Sequence, residues 1–133
     1  MGEKILVFDS DRESLERTRC MLQRAGYNAI TVEDGFSCLQ AFGQEGDFAV
    51  VLLNEGQGGA LSGLDVLQRI KDMSSDTPVV MSSTSWTPEF LQDCTGVGAF
   101  FCVEKTAGSD LLLKVLGQAV EVHRLSLSKG KSI

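Results

Sequence analysis

Phe48-Ala49-Val50-Val51-Leu52-Leu53-Asn54 is an unbroken apolar run stopped by an amide. A strand exposed on one face alternates apolar with polar residues, so a continuous run reads as a strand covered on both faces, as in a parallel sheet. Two runs on either side have the same character: Ile5-Leu6-Val7-Phe8 and Val79-Val80-Met81. Ala29-Ile30-Thr31-Val32 and Phe100-Phe101-Cys102-Val103 are less apolar but carry the β-branched and aromatic content of strands.

Segments with helical spacing separate these runs. Leu15, Thr18, Leu22 and Ala25 make one apolar stripe, and Leu64, Leu67, Ile70 and Met73 another. Ser10-Asp11-Arg12-Glu13 has the S-x-x-E pattern of a capping box, and Gly26 stands where a glycine would close the first helix. Phe36, Leu39 and Phe42 predict a short second helix. Thr87-Pro88 predicts the start of a fourth and Ser109-Asp110 that of a fifth, with Leu112, Val115, Leu116, Ala119 and Val122 inward. Alternating strand and helix with short connections implies right-handed crossovers and an α/β fold. Ligands of such sheets meet the carboxyl ends of the strands, here Asp9, Ser10 and Asp11, then Asn54, Ser83 and Lys105.

The chain has 133 residues, 43% hydrophobic and 23% charged, which suits one domain with its own core. Residues 1–125 read as that domain and 126–133 as a polar tail or the start of a linker. Cys20, Cys38, Cys94 and Cys102 are scattered without a C-x-x-C pair, and His123 is the single histidine, so zinc-knuckle and thioredoxin-like chemistry are excluded. Reduced, mostly buried thiols are expected. A net charge of −6, with scattered basic residues, argues against nucleic-acid binding. The apolar runs are too short for a membrane span or a signal peptide, and Leu6 stands where myristoylation would need Ser or Thr; a cytoplasmic protein is expected.

With its strand ends in place, the sequence resembles a receiver domain of a two-component response regulator, from Lys4 to about His123. The matching stretches are K-I-L-V-F-D-S-D, A-G-Y-N-A-I-T-V-E-D-G, D-F-A-V-V-L-L-N, S-G-L-D-V-L-Q-R-I-K, T-P-V-V-M-S-S and G-A-F-F-C-V-E-K. The resemblance implies a flavodoxin-like fold with strand order 2-1-3-4-5, which is the order given for such folds in general. It also implies phosphoryl transfer from a histidine kinase to a carboxylate at the third strand end, assisted by magnesium. Asn54 occupies that position, and a neutral amide cannot form an acyl phosphate. The expected acidic pair aligns with Asp9 and Ser10, leaving one carboxylate where a hard octahedral cation wants several oxygens, so magnesium binding is expected to be weak or absent. Asp11 either substitutes in that shell or serves to start the first helix.

Ser83 aligns with the family's switch hydroxyl and Lys105 with its characteristic lysine. Alternatively, Ser83 bonds nearby backbone and Lys105 forms a fixed pair with Asp9. Cys102 aligns with the rotating aromatic and is too small for that task. Thr106 follows Lys105 where the family has a cis proline, so a trans bond is expected. The loop after Asn54, with Gly56, Gly58, Gly59 and Gly63, reads as flexible; it fits neither the Walker pattern nor the dinucleotide fingerprint. Cys38 and Cys94 read as small core residues, His123 as a solvated helix residue, and Trp86 either as an interface anchor or as a cover between the fourth helix and the sheet.

The reading that results is a signalling module, not an enzyme. Its partners would be proteins, such as a histidine kinase, an effector domain or a second copy forming a homodimer, met on the fourth-helix, fifth-strand and fifth-helix face. Two alternatives stay open: a true phosphorelay receiver with Glu55 or Asp11 as acceptor, and a small-ligand or redox sensor using the strand-end pocket and the cysteines.

Overall fold

The computed structural model describes residues 2–54 and 61–131. Strands β1 (Lys4–Phe8), β2 (Asn28–Val32), β3 (Phe48–Asn54), β4 (Val79–Ser83) and β5 (Phe101–Glu104) alternate with helices α1 (Arg12–Arg24), α2 (Gly35–Glu45), α3 (Gly63–Met73), α4 (Pro88–Val97) and α5 (Ser109–Lys131). The sheet is parallel in the order β2-β1-β3-β4-β5, as expected. Every residue of the central strand β3 is buried, whereas β2 and β5 are partly exposed because they are the sheet edges. The weaker apolar character of those two runs has this cause.

Alternate side chains of each strand enter two separate cores. Ile5, Val7, Val50, Leu52 and Val80 pack with Leu15 and Leu22 of α1 and Val115, Leu116, Ala119 and Val120 of α5. Leu6, Phe8, Val51, Leu53 and Met81 pack with Cys38 and Phe42 of α2, Val66, Leu67 and Ile70 of α3, and Cys94 of α4. At about 25 cal/mol per Å² of buried apolar surface, these two layers are the main favourable term holding the helices to the sheet.

Several local expectations are corrected. The N-cap of α1 is Asp11 rather than Ser10: its carboxylate accepts from the Glu13 and Ser14 N–H groups at 3.1 and 3.4 Å. The chain leaves β1 still extended, with Asp9 N–H bonded to Val32 O, so the helix starts one residue later than the S-x-x-E pattern implies. The inward stripes are rotated in places: Ala25, Phe36, Met73 and Val122 are exposed, while Ser14, Val66 and Val120 are buried. Gly63 opens α3 and is buried, where Ser62 and Asp65 form a reciprocal capping box. β5 begins at Phe101, and α5 begins with Ser109 and runs on through Lys131.

Other boundaries are as expected. Thr87 caps α4 by accepting from Phe90 N–H, Pro88 follows at the first position, and Gly26 takes a positive φ of 93° just beyond α1. The glycines at 56, 58 and 59, and Glu55, lie outside the described residues. Among the described residues, no helix is long and apolar enough to cross a membrane.

Candidate functional site

The carboxyl ends of β1, β3, β4 and β5 bring Asp9, Asn54, Ser83 and Lys105 to one end of the sheet. Asp9 follows β1 directly and its side chain is 1% exposed. Its Oδ1 accepts from Asp11 N–H at 2.9 Å and from the Lys105 ammonium at 3.2 Å. Its Oδ2 lies 3.0 Å from the same ammonium, close enough for an ion pair but without the alignment of a hydrogen bond. The distance establishes the charge pairing, and the misalignment leaves one buried carboxylate oxygen without a hydrogen-bond donor among the described residues.

Asn54 ends β3 and is buried; its Nδ2 donates to the Phe8 carbonyl at 3.1 Å, tying the ends of β3 and β1. Ser83 ends β4, also buried, and its hydroxyl accepts from Ser85 N–H at 3.1 Å. Lys105 N–H donates to the Ser83 carbonyl at 2.9 Å, which fixes the lysine backbone beside β4. Ser10 is exposed, and the Asp11 carboxylate is engaged in capping α1.

Among the described residues, this arrangement offers a hard dication one carboxylate, Asp9, whose charge Lys105 already balances, and an amide whose nitrogen faces backbone. A six-oxygen shell with several anionic members is not assembled from Ser10, Asp11 and Asn54 as they stand. Among the described residues, no cluster of three or more His, Cys, Asp or Glu side chains is arranged to hold a metal ion.

Trp86, in the loop between β4 and α4, is half-buried. Its indole N–H donates to Val103 O at 2.8 Å, and its ring stacks on Phe90 with centroids 4.9 Å apart. It packs with Phe90 and Cys102 against the α4-side core, so the reading of Trp86 as a cover between α4 and the sheet describes its place. The bond to Val103 was not legible in the sequence. An aromatic residue in a loop facing a strand that carries a small residue, Cys102, was the available signal.

The peptide bond from Lys105 to Thr106 is trans. Burial raises the Cys102 thiol pKa, and in Cys38 burial followed by the Asp34 charge pushes it up to about 12. Cys38 and Cys94 are core residues as expected. His123 is half-buried with Nδ1 unpartnered among the described residues, which corrects its reading as a solvated side chain. A groove of about 1150 Å³ runs between α1 and α5, from Lys105 and Thr106 past Met21 and Leu112.

The response regulator receiver domain family matches residues 5–117, the span that holds this whole site. The chain belongs to that family. Receiver domains are signalling modules, generally not enzymes; they bind magnesium at the phosphorylation site and interact with kinases and effector domains. Among solved structures, NtrX of Brucella abortus is 28% identical with a TM-score of 0.89, covering 100% of this chain and 30% of that one. CheY4 of Vibrio cholerae is 26% identical with a TM-score of 0.82, covering 90% of this chain and 99% of that one. The nitrogen assimilation regulatory protein NtrX of Azorhizobium caulinodans is 29% identical over 94% of this chain and 28% of its own length. A putative NtrX-like regulator of Rickettsia bellii is 26% identical over 91% of this chain. The chain thus spans about a quarter of the length of the NtrX-type relatives it matches, 25% and 28% of these two.

Proposed function

We propose that this receiver domain works without aspartyl phosphorylation, as an interaction module whose contacts lie on the face built by α4, β5 and α5. Asn54 carries the reading. It stands at the end of the central strand, where the family's phosphoacceptor is expected, and its amide is bonded to Phe8 O; an amide has neither the charge nor the nucleophilicity to take a phosphoryl group. Among the described residues, Asp9 is the single carboxylate of the site not engaged in capping, and it is paired with Lys105, so weak or absent magnesium binding belongs to the same proposal. Ser83 and Lys105 then act as fixed structural members, and Cys102 rotates nothing.

Leu91 on α4 and Phe101 on β5 are exposed large apolar side chains carried by elements of the proposed face, a composition suited to a protein partner. A kinase, an effector domain or a second copy of the chain would meet it there. Of the carboxylates that could replace the missing acceptor, Asp11 is engaged in capping α1, which counts against it as the nucleophile.

The test is intact mass after incubation with acetyl phosphate and magnesium, on wild type and Asn54→Asp in parallel. Wild type is expected to take no adduct, and the variant little or none, because Ser10 still leaves the acidic pair incomplete. A hydroxylamine-labile adduct on wild type would overturn the proposal.

A further inference from the structure

We propose that Trp86 is a positioning residue that couples the strand-end site to α4. Two hydrogen bonds fasten the loop following β4. Ser85 N–H donates to the Ser83 hydroxyl at 3.1 Å on the site side, and the Trp86 indole donates to Val103 O at 2.8 Å on the β5 side. Val103 is two residues from Lys105, whose ammonium pairs with Asp9 and whose N–H bonds Ser83 O at 2.9 Å. Lys105, Val103, Trp86, Ser85 and Ser83 therefore form a closed circuit between β4 and β5, to which the Lys105 ion pair ties Asp9 of the β1 end.

The circuit leads on to α4. Trp86 stacks on Phe90, which sits in the first turn of α4 and donates its N–H to the Thr87 cap. Cys102, neighbouring Val103 and in the same apolar cluster, is small enough to leave the indole and phenyl rings room beside β5. A hydrogen bond of this length survives only a few tenths of an ångström of displacement, so a shift of Lys105 or Ser83 either breaks the Val103 bond or moves the indole. Moving the indole moves Phe90 and the start of α4. By reciprocity, a partner that fixes Trp86 from the α4 side stiffens Ser83 and Lys105.

The coupling rests on the proposed function only in treating α4 as an output face. Its test uses neither a partner nor a phosphoryl donor, so the two can fail separately. Trp86 is the single tryptophan of the chain, and its emission reports this loop alone. Asp9→Asn removes the ion pair that anchors the circuit, Ser83→Ala breaks the circuit itself, and circular dichroism checks that each is folded. A red-shifted emission and stronger acrylamide quenching are expected in both, with neither change in Arg12→Ala, which removes the exposed pair with Glu33. Unchanged emission and quenching in folded Ser83→Ala would overturn the coupling, whether or not Asp9→Asn folds. Trp86→Phe keeps a ring on Phe90 and deletes the N–H; the amide resonances of Ser83, Ser85 and Lys105 are expected to move. Shifts confined to Phe90 and Cys102 would mark Trp86 as packing alone and overturn the proposal.

Discussion

The Lys105 ammonium reaches Asp9 across the ends of two intervening strands, 3.0 Å from Oδ2 and 3.2 Å from Oδ1. It thereby closes the carboxyl edge of the sheet from β1 to β5. Asp9 is nearly inaccessible to solvent, so the lysine is its main source of compensating charge. Removing Lys105 should leave a buried acceptor group underbonded, at a cost of about 1–3 kcal/mol. Lys105→Met is expected to lower the urea midpoint accordingly. The double variant with Asp9→Asn should lose less than the two single losses added together, since each side chain's absence relieves the need for the other. Additive losses in the unfolding cycle would show that the pair contributes nothing.

Asp34 caps α2, accepting from the Ser37 backbone at 2.8 Å and its hydroxyl at 2.9 Å, and these bonds hold its carboxyl below the usual carboxylate range. Asp34→Ala should cost about 1 kcal/mol, while Asp34→Asn caps nearly as well. Because the folded pKa is the lower one, the carboxylate's contribution is full above an unfolded pKa of about 3.9 and is lost as pH falls through the folded value. Wild type should therefore lose stability over the acid range relative to Asp34→Asn. Unfolding curves collected from neutral pH downward test the divergence.

Gly35 begins α2 where a Cβ would lie 2.9 Å from Leu61 Cβ and 3.0 Å from Val66 Cγ2. Neither neighbour is the free end of a long side chain. Gly35→Ala is expected to destabilise by about 1–3 kcal/mol through overpacking, despite the better helix propensity of alanine. A rise in the thermal midpoint would contradict this packing.

Cys38 and Cys94 are fully buried, and the Cys38 thiol is pushed up to about 12. Thiolate is the reactive form, so both should resist iodoacetamide in the native protein near pH 8. Cys20, half-exposed on α1, should label first, with Cys102 slower because burial raises its pKa. Mass spectrometry of timed samples gives the order, and early labelling of Cys38 would refute it.

The architecture was legible because buried parallel strands write themselves as apolar runs and their edges as diluted ones. Helix rotation was less legible: Ala25, Met73 and Val122 matched the spacing, yet each lies near a helix end or beyond the sheet's cover. The capping position was missed because Ser10 and Asp11 are both good caps and only the exit path of β1 chooses between them. At the site, Asp9, Asn54, Ser83 and Lys105 were all readable as strand ends. The choice between a fixed ion pair and a free lysine needed distances, and so did the indole bond from Trp86 to a backbone carbonyl, which has no sequence pattern.

The pairing of Asp9 with Lys105 has a kinetic consequence. A cationic side chain left free at the mouth of a site draws anions inward, but here that charge is cancelled locally while the whole chain carries −6. Electrostatic steering then works against small anionic donors, most strongly in dilute buffer, where the screening length grows to about 30 Å at 0.01 M salt. Their encounter with this pocket should quicken as salt is added, the reverse of an anion-attracting site.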